Sequence, residues 1–211
     1  MIKAIIFDLD GTLLNTLEDL FLAVKHALKT FNLPLRTKEE VRNFIGNGVK
    51  NLMMRAAEEN FSQELLDEFL SFYSFHKNDN TCIYPQINEL LSALKNKNIR
   101  LAIVSNKTDG AIKELTEKFF AGKFVCAVGE RDGIARKPAP DGVLEVMQLL
   151  DVSADETIYV GDSEVDILTA KNACIKCVSV LWGFKDKDFL LKNGATDVVS
   201  SPMEILNFLG D

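Results

Sequence analysis

The sequence predicts an α/β protein: a parallel β-sheet with helices on both faces, interrupted by an all-helical insertion. Three observations carry this. From Ile99 onward, short apolar runs alternate with helical patterns, the signature of strands joined by crossover helices. One further apolar run stands alone near the amino terminus and stops at two carboxylates. Between Asn15 and Asn80 there is no convincing strand, only apolar residues at helical spacing.

The isolated run is Ala4 to Phe7, closed by Asp8-Leu-Asp10-Gly-Thr12. A short apolar run bounded by a turn signal reads as a buried parallel strand. Side chains two apart on a strand share a face, so Asp8 and Asp10 leave its end together, where like charges are costly. A divalent cation is the natural compensation. In the insertion, Leu17, Leu20, Phe21, Val24, Ala27, Leu28 and Phe31 mark one helix, and Thr37 with Glu40 is a capping box for a second. Gly48 to Glu59 and Ser62 to Phe75 read as two more. That is too long for a loop, so residues 15–80 are expected to form a helical cap domain, and residues 1–14 with 81–211 the core domain. The stripe Phe69, Phe72, Tyr73 and Phe75 is expected to supply the cap's core and docking surface. His26 and His76 have neither a neighbouring nucleophile nor a second ligand in sequence, and read as ordinary helix residues.

In the alternating region, Arg100 to Val104 is a strand ending at Ser105-Asn106, and Thr108 to Phe120 a helix. Phe124 to Val128 is the next strand. Asp141 to Leu150 is a helix with Asp141 as its N-cap behind Pro138 and Pro140. Thr157 to Val160 is a strand ending at Gly161-Asp162, Glu164 to Ala173 a helix, and Cys177 to Leu181 a strand. Right-handed crossovers bring the carboxyl ends of such strands to one edge, where ligands of open α/β sheets bind.

Composition narrows the function. The 211 residues are 47% hydrophobic and 26% charged, within the globular range. A formal charge of -7 argues against nucleic acid, which calls for a basic stripe. No apolar run approaches the roughly 20 residues of a membrane span. Met1-Ile2-Lys3 opens straight into a strand with no signal peptide ahead of it, so a cytoplasmic protein with reduced thiols is expected. Cys174 and Cys177 have Cys-x-x-Cys spacing, but a lone pair lacks the ligand count of a zinc site.

Four strand ends therefore meet. They carry Asp8 and Asp10; Ser105 and Asn106; Arg136-Lys137-Pro138-Ala139-Pro140; and Gly161-Asp162-Ser163-Glu164-Val165-Asp166. Four acids with one lysine suit a hard cation with room for water, such as Mg²⁺. Lys137, a hydroxyl at Ser105 or Thr12, and N–H groups around Leu9 to Thr12 suit a phosphoryl group. A carboxylate nucleophile beside a second acid and a metal fits phosphoryl transfer through an aspartyl-phosphate.

These motifs, in this order and spanning nearly the whole chain, resemble the haloacid dehalogenase superfamily, and the insertion resembles its C1-type cap. Ile45-Gly-Asn-Gly48, Ser105-Asn-Lys107, Val160-Gly-Asp-Ser-Glu-Val-Asp-Ile-Leu-Thr-Ala170, Leu181-Trp-Gly-Phe184 and Asn193-Gly-Ala-Thr-Asp197 look like its phosphoglycolate phosphatase branch. The resemblance implies a Rossmannoid core and a Mg²⁺-dependent phosphatase acting on a small phosphorylated metabolite, without nucleic-acid or membrane partners. It implies Asp8 as nucleophile and metal ligand, and Asp10 as general acid and then base, its carbonyl on the metal. It implies Ser105 and Lys137 on the transferring phosphoryl group, Asp162 as the third metal ligand, and Asp166 supporting the metal's water shell or Lys137. Gly11, Thr12, Asn106, Asn47 and Gly48 would line the substrate, the last two from a cap segment around Gly46. Tyr84-Pro85-Gln86 stands where relatives usually have Pro-Gly, and Ala173-Cys174 where they often have Ala-Gly.

Neighbouring readings share parts of the pattern. A 2-haloacid dehalogenase needs no acid at Asp10, because halide leaves unprotonated. A phosphohexose mutase shares all four motifs and differs in releasing no phosphate. A receiver-type signalling domain has no helical insertion, and its paired acids precede the phospho-acceptor. A 2-phosphoglycolate-like ester is the expected substrate, with nucleotides, sugar phosphates and pyrophosphate open.

Overall fold

Ala4–Phe7 (β1) is apolar throughout and wholly buried, as a strand covered on both faces must be. The computed structural model describes residues 1–210, so Asp211, the end of the expected core segment, lies outside the described residues. The chain divides into two compact units, Met1–Leu13 with Ile83–Asp211, and Leu14–Cys82. Two-residue strands at the limits of the second, Leu14–Asn15 (β2) and Cys82–Ile83 (β3), pair with each other.

The first unit holds Arg100–Thr108 (β4), Cys126–Glu130 (β5), Thr157–Gly161 (β6), Lys176–Val180 (β7) and Asp197–Val199 (β8). With β1 they form a six-stranded sheet of order β5-β4-β1-β6-β7-β8, every pairing parallel. From β1 the sheet grows toward β4 and from β6 toward β7, so the switch point that hosts ligands in such sheets lies between β1 and β6. Alternation along β1 sends Ala4 and Ile6 into a core with Val143, Val146 and Leu150 of the helix Asp141–Leu150, and Ala170 of the helix Glu164–Asn172. On the opposite face Phe7 meets Phe124 edge-on at 6.3 Å, and Phe124 meets Phe120 of the helix Asp109–Phe120.

Helices are α1 (Leu17–Thr30), α2 (Lys38–Phe44), α3 (Gly48–Ala57) and α4 (Gln63–His76) in the second unit. In the first they are α5 (Ile87–Asn96), α6 (Asp109–Phe120), α7 (Asp141–Leu150), α8 (Glu164–Asn172) and α9 (Lys187–Lys192). Among the described residues, none is long and apolar enough to cross a membrane. In the helical unit, α1 buries Leu20, Ala23, Val24, Ala27 and Leu28, and α4 buries Leu65, Leu66, Phe69 and Tyr73. The capping box is present: Thr37 Oγ1 accepts the Glu40 N–H, and Glu40 Oε2 accepts the Thr37 N–H at 2.7 Å. Asp19, which carried no expectation, is buried yet satisfied by the N–H and side chain of Asn80 and the N–H and hydroxyl of Thr81, all within 2.9 Å.

Four expectations need correction. Of the aromatic stripe, Phe75 is 81% exposed and so gives nothing to the cap's core, and Phe72 is stacked between His26 and His76. Asp141 is the first helical residue and Pro140 its cap, so the acid favours the helix through the dipole rather than a capping bond. β4 continues past Val104 to Thr108 through an irregular register with β5. β5 begins at Cys126, two residues later than Phe124.

Candidate active site

β1 and β6 deliver the acids. Asp8 follows the last residue of β1, and Asp162 follows Gly161 at the end of β6; both are buried. Asp166 lies in the first turn of α8 and is fully buried. Carboxylate oxygens of these three residues lie within 4.8 Å of one another. Lys137, on the segment after β5, reaches them: its Nζ is 2.7 Å from Asp166 Oδ1 and 2.9 Å from Asp8 Oδ1.

The three carboxylates are not equivalent. Asp166 Oδ1 faces Lys137 Nζ and the Tyr159 hydroxyl, and its Oδ2 accepts the N–H and hydroxyl of Ser163. Its oxygens are spent, so it is built to hold Lys137 and cap α8. Asp162 Oδ2 accepts the Phe184 N–H at 2.6 Å. Asp8 Oδ1 pairs with Lys137 by charge but has no aligned hydrogen-bond donor. Asp8 and Asp162 are therefore the side chains able to turn oxygens to a cation. Acids outnumber lysines here: Asp8, Asp10, Asp162 and Asp166 face Lys137 and Lys107, an excess of negative charge that a cation would offset.

Burial sets the electrostatics. It pushes the Asp8 carboxyl up to about 7, with Asp166 and Asp10 acting the same way and Lys137 opposing. Asp162 is held well above the usual carboxylate range, first by burial, then by Asp166 and Asp8. Burial disfavours the Lys137 charge, but Asp166 and Asp8 outweigh it and raise its pKa well above the ordinary value.

Glycines make the packing possible. Gly11 has φ +82°, and a Cβ there would overlap the Asp162 carboxylate. A Cβ on Gly183 would overlap both the Asp162 side chain and the Gly11 carbonyl. Trp182, beside it, donates from Nε1 to the Thr12 carbonyl at 3.0 Å, tying the loop after β7 to the turn after β1.

The remaining expected residues fall as follows. Ser105 is buried within β4, and its hydroxyl accepts the Lys107 N–H at 3.4 Å. Asn106 donates from Nδ2 to the Lys137 carbonyl. Thr12 is buried with a hydroxyl lacking a hydrogen-bond partner, but its N–H is already given to the Leu9 carbonyl, so it leaves the set of amides expected for a phosphoryl group. Asp10 carries its carboxylate on Lys107 Nζ, 3.0 and 3.1 Å from its two oxygens. Asn47 and Gly48 belong to the helical unit, where Asn47 caps α3 without a side-chain capping bond.

Sequence reasoning gave no role to Lys107, Tyr159 and the Gly183–Phe184 backbone. Lys107 had a signal, since it stands two residues after Ser105 on a strand. Tyr159 had a weaker one: a phenol in a buried apolar run needs a partner, and here it donates to the Val104 carbonyl and sits 3.0 Å from Lys137 Nζ.

Comparison with known proteins places the chain in a family. A family model described as haloacid dehalogenase-like hydrolase matches residues 5–180. A phosphoglycolate phosphatase of Aquifex aeolicus is 33% identical over 183 residues, 86% of this chain and 86% of that protein. One from Vibrio parahaemolyticus is 32% identical over 216 residues, covering 97% and 95%. A solved chain from Lactobacillus delbrueckii subsp. bulgaricus is 35% identical with a TM-score of 0.92, covering 98% of each. A predicted phosphoglycolate phosphatase from Haemophilus somnus is 28% identical with a TM-score of 0.88, covering 99% and 98%. Matched by that model across most of its length, the chain belongs to the haloacid dehalogenase-like hydrolases, on the side of that family that resembles the phosphoglycolate phosphatases.

Proposed function

We propose that this hydrolase is a Mg²⁺-dependent phosphatase that cleaves a small phosphomonoester, of the 2-phosphoglycolate type, through an aspartyl-phosphate on Asp8. The observation that carries the reading is the placement of Asp8: buried at the switch point, 2.9 Å from Lys137, and beside Asp162. The residues fit the cation by their excess of negative charge and by the donor set left after Asp166 is spent. Asp8, Asp162 and the Asp10 carbonyl would hold it. When bound, Mg²⁺ would offset charge on the transferring phosphoryl oxygens.

The chain's residues then divide the work. An Asp8 oxygen attacks phosphorus in line, and the bond to the leaving oxygen breaks as Asp10 protonates that oxygen. Asp10 next takes a proton from water, which attacks the phosphorus of the aspartyl-phosphate, frees phosphate and restores Asp8. Lys137, fixed by Asp166 and Tyr159, keeps its charge on the phosphoryl group throughout, with Ser105 beside it. Amides around Leu9 to Gly11, with the Thr12 hydroxyl and Asn106, would complete the phosphoryl cradle. The helical unit takes the part of a C1-type cap, with Asn47 and Gly48 selecting the substrate. Asp10 separates this chemistry from dehalogenation, where no leaving oxygen needs a proton.

A phosphate-release screen across phosphorylated metabolites, with Mg²⁺ and with a chelator, tests the reading. The expected result is release from 2-phosphoglycolate or a similar small ester, abolished by chelation and restored by Mg²⁺. Isomerised sugar phosphate without free phosphate would make the protein a mutase. Turnover indifferent to chelation would remove the metal.

A further inference from the structure

Asp10 is held rather than left to rotate. Lys107 Nζ sits 3.1 Å from its Oδ1 and 3.0 Å from its Oδ2. The two side chains are only 11% and 18% exposed, so this is not a solvated surface pair. The backbone is arranged for it. The pairing of β4 with β5 shifts register between Val104 and Thr108, and such irregularities re-aim side chains beside active sites. Gly129 on β5 permits the close approach: a Cβ there would lie 2.6 Å from the Lys107 carbonyl oxygen and 2.7 Å from Asp109 Cα. Asp109 Oδ1 accepts the Gly129 N–H at 3.3 Å and secures the same spot.

We infer that Lys107 is a positioning residue for Asp10. It holds the carboxyl by both oxygens, so that one can exchange a proton with the leaving oxygen while the other keeps the lysine. A side chain with no such hold would spread over its staggered rotamers, and proton transfer requires the acid within hydrogen-bond reach of its target. The inference rests on Asp10 as the proton carrier, and is tested so that the two can fail separately.

The experiment compares kcat/KM for an alkyl phosphate and for 4-nitrophenyl phosphate in the wild type, Lys107→Ala, Lys107→Arg and Asp10→Asn. An alkoxide must be protonated as it leaves, whereas nitrophenolate leaves without help. A positioned acid supplies about 10²–10⁴-fold, so Lys107→Ala should lower the alkyl value at least ~30-fold and the aryl value no more than ~3-fold. Lys107→Arg, which keeps paired N–H donors for a carboxylate, should recover part of the alkyl rate. Equal losses on both esters, or none on either, would overturn the role of Lys107. If Asp10→Asn itself falls equally on both esters, Asp10 is not the proton carrier and the underlying reading fails first.

Discussion

Asp8 carries, at the scale of one residue, the physical case for the proposed cation. Its carboxyl is pushed up to about 7 by burial, against an ordinary aspartate near 4. Between those values the folded chain keeps a proton that the unfolded chain has released. The group therefore favours the fold at low pH, and that contribution is lost as pH rises through about 7. A cation at Asp8 competes with the same proton. MgCl₂ should accordingly raise the melting temperature more at about pH 8 than at about pH 5.5, as read by scanning calorimetry. An equal rise at both would mean the ion does not engage Asp8. Asp8, Asp10, Asp162 and Asp166 could be placed from the sequence because each sits at a strand end or within a turn of it, where topology gathers side chains, and Lys137 because its Lys-Pro segment precedes the helix that follows β5. Lys107 and Tyr159 left only faint signals. The first stands two residues after Ser105, but its reach to Asp10 depends on a register shift that no local pattern announces, and the second is a lone phenol in a run of core residues.

Among the elements, the loop after β7 has an effect its sequence did not disclose. Its Phe184 N–H fixes Asp162, and its Gly183 leaves room for that side chain against Gly11. Groups that orient a metal ligand typically matter 10–100-fold in metal affinity, so with Asp162 in its proposed role as a ligand, Gly183→Ala should raise the half-saturating Mg²⁺ concentration by about tenfold or more. Circular dichroism should show the fold kept; an unchanged Mg²⁺ requirement would contradict the role given to this loop. The helices of the insertion were readable from apolar spacing and from the Thr37–Glu40 box, which are local signals. β8, three residues long, and α9, six, were not. Elements that short carry too few periods for a pattern, and pairing with β7 defines the first.

For the whole molecule, the sheet order explains how residues from Asp8 to Asp166, far apart in sequence, form one site: β1 and β6 flank the switch point and bring their acids together. The parallel sheet followed from the alternation of strands and helices, whereas the order of six strands did not, because it depends on which crossovers pack. The formal charge of -7 gives no long-range attraction for an anionic ester, so in the proposed reaction binding would fall to Lys137 and the cation. The central claim is that Asp8 takes the phosphoryl group. Steady-state phosphate release from a small phosphomonoester in Mg²⁺, by wild type and Asp8→Asn, tests it most directly. The account predicts a fall in kcat of roughly 10³-fold or more in a variant that remains folded, since a neutral amide oxygen replaces the carboxylate nucleophile. Turnover retained within a few-fold would contradict it.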